Sequence, residues 1–227
     1  IHTKNCIKMG IVLKEQLFND GFISFSLKEF DESLYNKLKV LFPIGTLKPE
    51  MFHHLKHSII NKEHSYPNAS LMGVSFDELE TKKYEILENY EYTCDQLWYF
   101  DWPYDVKSKK NPFTELVKPI FQYFYDEECK GANSQVTMYN DGCYLKNHTD
   151  GAGGYTGDKH CVILIYLSTE YEKGKGGEMV LSKDKINEVS IEPIYGNVAM
   201  FDFTKHDIWH RVEKVKNYNR YCFINFC

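Results

Sequence analysis

The chain has 227 residues, of which 43% are hydrophobic and 26% charged, a composition that excludes a disordered or fibrous protein. Its 27 basic and 32 acidic side chains give a net charge of −5, which argues against a general nucleic-acid-binding protein, because such proteins usually carry a basic surplus. No apolar stretch is long enough for a transmembrane helix, and the N-terminus shows no secretory signal peptide. Seven irregularly spaced cysteines without a C-x-x-C pair predict thiols in the reducing cytoplasm.

Residues 1–130 are predicted to carry most of the helices. Apolar periodicity predicts three helices, whose starts are marked by capping residues: Asp31, Ser75 and Asn111. Pro119 lies inside the third of these and predicts a kink or a late start. Two short β-like runs, at 22–27 and 96–102, interrupt the helices. This half of the chain is therefore expected to support a core that lies elsewhere.

Residues 131–227 are predicted to form short strands between turn residues. The candidate strands span 135–140, 143–147, 160–168, 178–181, 186–191, 197–203, 208–215 and 220–226. So many short strands at close spacing predict a sandwich or a jelly roll. We expect an α+β, mainly β architecture in one domain of residues 1–227, in which 1–130 supplies helical support and extra strands packed on one face of the core in 131–227.

One possible metal site begins at the triplet His148-Thr149-Asp150. The triplet follows a strand-like run and precedes a glycine-rich loop. Residues i and i+2 of a strand point to the same side, so His148 and Asp150 can offer an imidazole and a carboxylate to one ion. The alternative is a turn histidine followed by an aspartate that bonds its own backbone.

Two residues near the C-terminus complete this constellation. His210 lies in a strand-like run and is the candidate third ligand for a face of two histidines and one carboxylate, which suits Fe(II). Arg220 is one of only two arginines and opens an apolar strand, where an unpaired charge is costly. It therefore needs an anionic partner, which a guanidinium can hold through two hydrogen bonds. A buried core histidine and a surface ion pair are the alternatives. His206 competes with His210 as the distal ligand.

These residues resemble the Fe(II)/2-oxoglutarate-dependent dioxygenases, and among them the prolyl-4-hydroxylase-like branch. The resemblance is carried by residues 139–150, 161–168, 176–181 and 196–220. It implies a double-stranded β-helix (jelly roll) core, with His148, Asp150 and His210 as iron ligands. It also implies that Arg220 binds the 2-oxoglutarate carboxylate, with Tyr166 and Tyr139 beside the co-substrate. Many relatives have Ser or Thr two positions after the basic residue, where this chain has Cys222.

The resemblance implies an enzyme that hydroxylates an unactivated C–H bond of an amino acid or a peptidyl side chain. Its cofactor would be Fe(II) and its co-substrates 2-oxoglutarate and O2, with ascorbate as an optional addition and with succinate and CO2 as co-products. A ligating Asp150 favours hydroxylation over halogenation. Two alternatives remain: a protein prolyl hydroxylase that acts on a partner protein, and a jelly-roll binding protein without catalysis.

Other clusters allow a functional and a structural interpretation. His53, His54, His57 and His64 lie close together, and a helix would place His53 and His57 on one face, as a second metal site requires. A solvated helix or a mobile lid is the alternative. The aromatic run at 96–102 is expected to pack in the core or to line a substrate cleft, and the basic run at 107–110 is expected to be a loop.

Overall fold

The computed structural model describes residues 2–47, 53–54, 96–98, 114–127, 133–139, 141–149, 161–203 and 207–227. The helices among these residues are α1 (His2–Asp20), α2 (Leu27–Phe30), α3 (Glu32–Leu41) and α4 (Thr114–Tyr125). The first five strands are β1 (Phe22–Ser26), β2 (His53–His54), β3 (Gln96–Trp98), β4 (Asn133–Tyr139) and β5 (Leu145–His148). They are followed by β6 (Cys161–Tyr166), β7 (Met179–Ser182), β8 (Val189–Ile191), β9 (Asn197–Asp202), β10 (Trp209–Val212) and β11 (Arg220–Phe226).

The strands form two antiparallel sheets. The large sheet has seven strands in the order β1-β9-β6-β11-β4-β3-β2, and the small sheet has four in the order β5-β10-β7-β8. Every pairing within the described residues is antiparallel. Few neighbouring strands are consecutive in the chain, so residues distant in sequence lie side by side.

The two faces of strand β6 belong to two different hydrophobic cores. All six of its residues are buried, and successive side chains of a strand point to opposite faces. Ile163 and Ile165 belong to a core that includes Leu17 of α1, Leu38 of α3 and Leu116 and Ile120 of α4. The alternate residues Val162, Leu164 and Tyr166 belong to a second core with Leu181 and Val212 of the small sheet. The large sheet therefore packs helices on one face and the small sheet on the other.

The predicted cap of α3 is present. Asp31 accepts hydrogen bonds from the backbone N–H groups of Ser33 and Leu34 at 2.8 and 3.1 Å, and Leu34 and Leu38 are buried. The helix that contains Pro119 begins at Thr114, so it does not start late. The helix predicted from Ser75 and the cap at Asn111 lie outside the described residues. None of the described helices is long and apolar enough to cross a membrane.

Some strand boundaries differ from the predicted ones, in one case because a side chain forms hydrogen bonds with the backbone. The strand predicted at 186–191 is shorter, because Asp184 accepts hydrogen bonds from the N–H groups of Ile186 and Asn187 at 2.9 and 2.8 Å and holds a turn there. The strand predicted at 208–215 ends at Val212. Helix α1 was not predicted, although Leu13 and Leu17 have helical spacing and are buried. Strand β11 has the predicted bounds.

Candidate active site

Two imidazoles meet on adjacent strands of the small sheet. His148 is the last residue of β5, and His210 lies directly opposite it on β10. Their ring centroids are 4.1 Å apart with the rings tilted by 50°. His210 is buried and His148 is half-buried. Asp150, the predicted carboxylate ligand, and His206, the competing distal histidine, lie outside the described residues.

The backbone determines which nitrogen of His210 is available. Its Nδ1 lies 3.2 Å from the carbonyl oxygen of Ile208. A carbonyl can only accept a hydrogen bond, so Nδ1 carries the proton and, in the neutral ring, Nε2 carries a lone pair. Metal-ligating histidines usually have this arrangement, in which the second nitrogen donates to a carbonyl. The ring of Phe201 packs at 4.8 Å from that of His210, which further limits its orientation.

Arg220 is the most deeply buried charge in the described part of the chain. It is the first residue of β11, lies opposite Tyr139 on β4, and is only 1% exposed. Its Nε donates to the carbonyl oxygen of Gly177 at 2.7 Å. The guanidinium carbon lies 5.2 Å from the ring centre of Tyr139 and 5.1 Å from that of Tyr166. All three sequence-predicted co-substrate residues are therefore brought together.

Two buried polar atoms in this group lack a hydrogen-bond partner. They are Nη2 of Arg220 and the hydroxyl oxygen of Tyr166; no described residue gives either atom a hydrogen bond of good geometry, although the two side chains lie close enough for Arg220 to act on the Tyr166 hydroxyl. No carboxylate of the described residues forms an ion pair with Arg220. A buried unsatisfied group costs about 1–3 kcal/mol, and more if it is charged. The pair is therefore a site that a bound anion would complete.

The protonation states in this group also favour an anion. Burial raises the pKa of Tyr166 above its ordinary value, although the charge of Arg220 acts in the opposite direction. Burial likewise raises the pKa of Cys222, which lies opposite Tyr166, to about 12. The phenol and the thiol are therefore both neutral near pH 7, and neither cancels the charge of Arg220. A carboxylate would find one cation and one hydroxyl donor.

Both groups of residues border the core between the sheets. Tyr166, Phe201 and Cys222 belong to that core, and Phe201 contacts His210. The histidine pair and the arginine group therefore approach the same intersheet space from opposite sheets. An imidazole pair and an anion-binding group that border one core suit an enzyme that binds a metal ion together with a carboxylate-bearing co-substrate.

Three contacts in or beside the site were not predicted from the sequence. They are the ring of Phe201 against His210, the carbonyl of Gly177 as the partner of Arg220, and the hydroxyl of Tyr218, which donates to the carbonyl of Gly176 at 2.8 Å. The adjacent glycines 176 and 177 are a visible sequence signal, but they do not show which residue they accommodate.

The histidine cluster near residue 53 does not have the predicted helical form. His53 and His54 form a short strand that pairs with Trp98 and Leu97 of β3. Consecutive strand residues point to opposite faces, so the helical interpretation is wrong at these two positions. His57, His64 and the basic run at 107–110 lie outside the described residues, as does the aromatic run beyond Trp98.

Comparison with known proteins shows what the chain is similar to. The sequence profile of the 2OG-Fe(II) oxygenase superfamily matches residues 134–227. No curated protein sequence matches the chain. Among solved structures, a Pseudomonas putida prolyl-4-hydroxylase is 11% identical with a TM-score of 0.57, and the alignment covers 96% of this chain and 97% of that one.

Two further solved structures are similar at the same level. A Trichoplax adhaerens prolyl hydroxylase, solved with a peptide fragment of the hypoxia inducible factor oxygen degradation domain, is 13% identical with a TM-score of 0.57, covering 99% of this chain and 90% of that one. An oxidoreductase of the 2OG-Fe(II) oxygenase family from Burkholderia pseudomallei is 14% identical with a TM-score of 0.54, covering 96% and 89%. At these identities the likeness shows the fold, and the profile match covers the segment that carries both groups of site residues.

Proposed function

We propose that this protein, whose residues 134–227 belong to the 2OG-Fe(II) oxygenase superfamily, hydroxylates an unactivated C–H bond of an amino acid or of a peptidyl side chain. It is an oxygenase, and the superfamily works with Fe(II) and 2-oxoglutarate. His148, Asp150 and His210 would hold the metal. Arg220 would hold the far carboxylate of 2-oxoglutarate, with Tyr166 and Tyr139 beside it, and O2 would be the second co-substrate.

The observation that carries this proposal is the pair of buried donors without partners, Nη2 of Arg220 and the hydroxyl of Tyr166. A protein that kept this charge for stability would be expected to pair it, because an unpaired buried charge is costly. A ligand with a carboxylate supplies the missing acceptor. The His148–His210 pair supports a metal in the same space, because neutral imidazoles are good ligands for iron.

The architecture supports a jelly-roll core for 131–227 within a single domain of residues 1–227. Two antiparallel sheets enclose a shared core, and helices α1, α3 and α4 contribute to a separate core on the outer face of the large sheet. In this arrangement 1–130 supports the catalytic half without supplying its metal ligands.

The chemistry follows from what each group can hold. Bound Fe(II), with 2-oxoglutarate and O2, supplies an oxidative decarboxylation that yields succinate and CO2 and delivers one oxygen atom to a substrate C–H bond. His210 presents Nε2 because its Nδ1 donates to Ile208. Arg220 and Tyr166 orient the co-substrate by its far carboxylate, and the positive charge of Arg220 balances the charge of that carboxylate. The buried residues of both sheets screen this space from water.

The substrate is the finer part of the proposal. Prolyl hydroxylases are among the proteins with a similar fold, so peptidyl proline on a partner protein is the first alternative to a free amino acid. A jelly-roll protein that binds without catalysis is the second. It would retain the anion group and still bind 2-oxoglutarate, but it would release no succinate.

The test measures co-substrate binding and turnover separately. Calorimetry with Mn(II) in place of Fe(II) measures the dissociation constant for 2-oxoglutarate, and succinate release with Fe(II) is followed across free amino acids and proline-containing peptides. We expect Arg220→Lys to weaken 2-oxoglutarate binding by at least 10-fold, because a lysine lacks the separate nitrogens with which Arg220 can donate both to the carbonyl of Gly177 and to a carboxylate. Arg211→Lys is the matched control, since Arg211, the other arginine, is paired with Glu188 and Glu213 at the surface.

The outcomes distinguish the alternatives. Unchanged 2-oxoglutarate affinity in Arg220→Lys would overturn the assignment of the carboxylate site. Binding without succinate under every condition would favour the non-catalytic alternative. A mass gain of one oxygen atom in a peptide, with none in the free amino acids, would identify a peptidyl substrate.

A further inference from the structure

We propose that Tyr218 is a positioning residue that, together with the turn at Gly176 and Gly177, sets the direction in which the Arg220 guanidinium points. This inference rests on the proposed function, in which Arg220 holds the carboxylate of 2-oxoglutarate. We call the unit formed by Gly176, Gly177 and Tyr218 the glycine–tyrosine clasp.

The first half of the clasp is a turn that only glycine can form. Gly176 and Gly177 have φ values of +70° and +82°, in the region that L side chains rarely adopt. A Cβ atom on Gly176 would lie 1.8 Å from the carbonyl oxygen of Lys214, which is backbone and cannot move aside. The N–H of Gly177 donates to the carbonyl of Glu213 at 2.9 Å. The turn is therefore held against the segment that leads into β11.

Tyr218 completes the clasp from that same segment. Its hydroxyl donates to the carbonyl of Gly176 at 2.8 Å, and its side chain is 5% exposed. The carbonyl of Gly176 and the N–H of Gly177 belong to one peptide group, and each is now hydrogen-bonded. This peptide plane therefore cannot rotate without breaking a bond at one of its ends.

The orientation of this plane sets the next carbonyl, which binds Arg220. The carbonyl of Gly177 accepts the Nε hydrogen bond of Arg220 at 2.7 Å. A Cβ atom on Gly177 would lie 2.2 Å from the Tyr218 hydroxyl oxygen and 3.2 Å from Cδ of Arg220. The side chains of Tyr218 and Arg220 thus pack so closely on Gly177 that a methyl group at this position would not fit. With Nε fixed, the outer nitrogen Nη2 is left for the carboxylate.

The hydroxyl of Tyr218 stays a donor in this environment. Burial raises the pKa of Tyr218 above its ordinary value, against the opposing effect of the nearby Arg220 charge. The phenol is therefore protonated near neutral pH, and the bond to Gly176 persists throughout the pH range in which an enzyme assay is run.

The glycine half of the clasp has a matched pair of test variants. Gly174 and Gly177 both have positive φ, at +94° and +82°, but a Cβ on Gly174 meets nothing within 4 Å. Gly174→Ala therefore measures backbone strain alone, whereas Gly177→Ala adds the collision with Tyr218 and Arg220. We expect Gly177→Ala to raise the dissociation constant of 2-oxoglutarate, measured on the Mn(II)-loaded protein, at least 10-fold relative to Gly174→Ala.

The tyrosine half has a second matched pair. Tyr195 also donates a hydrogen bond to a backbone carbonyl, that of Phe42 at 2.6 Å, away from the site. Tyr218→Phe and Tyr195→Phe remove the same kind of bond and should lower the melting temperature similarly. We expect only Tyr218→Phe to raise both the dissociation constant and the KM for 2-oxoglutarate, by about 3- to 10-fold for one lost hydrogen bond. Its kcat at saturating co-substrate should be nearly unchanged.

The double variant tests whether the two halves act as one unit. Removing the Tyr218 hydroxyl also removes the closest atom that an alanine at position 177 would meet, so the effects of Gly177→Ala and Tyr218→Phe on affinity should be less than additive. Should Tyr218→Phe match Tyr195→Phe in 2-oxoglutarate affinity while Arg220→Met abolishes binding, the positioning role is wrong and the proposed function stands. If Arg220→Met also leaves the affinity unchanged, the proposed function itself is wrong.

Discussion

Replacing Arg220 by methionine should abolish 2-oxoglutarate binding while changing the stability of the unliganded protein little. Methionine keeps much of the buried volume and removes a guanidinium whose Nη2 has no partner among the described residues. Replacing a buried ionic group with an apolar side chain of similar size is often neutral or stabilising, by up to about 1–4 kcal/mol. Against this gain, the carbonyl of Gly177 loses its donor, at a cost of about 1–3 kcal/mol. The free energy of unfolding without ligand should therefore change by no more than about 3 kcal/mol in either direction.

The ligand-bound proteins should differ much more. A ligand at 100 times its dissociation constant stabilises the protein by about 2.7 kcal/mol, which corresponds to roughly 5–10 °C in melting temperature for a chain of this size. Thermal unfolding monitored with and without 2-oxoglutarate, in the presence of Mn(II), measures both quantities. Wild type should show this shift and Arg220→Met none, while the surface control Arg211→Met keeps it. An Arg220→Met variant that retains the shift in melting temperature would refute the reasoning. So would one whose free energy of unfolding without ligand is lower than that of wild type by more than about 3 kcal/mol.

Three further predictions concern stability. Tyr125→Phe removes the donor to the buried carboxylate of Asp202, a bond of 2.9 Å, and should lower the free energy of unfolding by about 1–3 kcal/mol in denaturant titrations; no loss would mean that water replaces the phenol. Leu38→Ala empties a fully buried position in α3 and should cost about 2–5 kcal/mol, against less than 1 kcal/mol for the exposed Val40→Ala. Backbone N–H groups of its own turn lower the pKa of Asp184 below its ordinary value, so its stabilising effect is present above about pH 4 and is lost as the pH falls further. The melting-temperature difference between wild type and Asp184→Ala should therefore shrink in acid, and a difference independent of pH would contradict this.

The candidate site residues could be selected from the sequence because their residue types and strand contexts are visible there. His148 in an H-x-D triplet, and Arg220 at the head of an apolar strand of a chain with only two arginines, are visible without coordinates. The sequence of β6 shows only a continuous apolar run, because a strand buried on both faces has no polar positions. It does not show that alternate residues of the strand belong to two different cores. The resemblance to the dioxygenases is confirmed by the superfamily profile over 134–227. The role of each site residue stays a prediction.

The two wrong predictions also have physical causes. The pair His53 and His57 has helical spacing, but His53 and His54 are held in a strand by pairing with β3, and such long-range pairing overrides local periodicity. The strand predicted from residue 186 was shortened by an aspartate that bonds its own turn, which competes with the sheet for the same N–H groups.

By itself, the sequence determined which donors and charges are available and which neighbours along a strand share a face, because these depend on residue identity and on the two-residue repeat of a strand. Only the tertiary structure decided that His148 lies opposite His210, that Arg220 is buried between Tyr139 and Tyr166, and that Tyr218 closes on the Gly176 turn. The reason is that these contacts depend on strand register, and register is set by hydrogen bonds and packing between segments far apart in the chain.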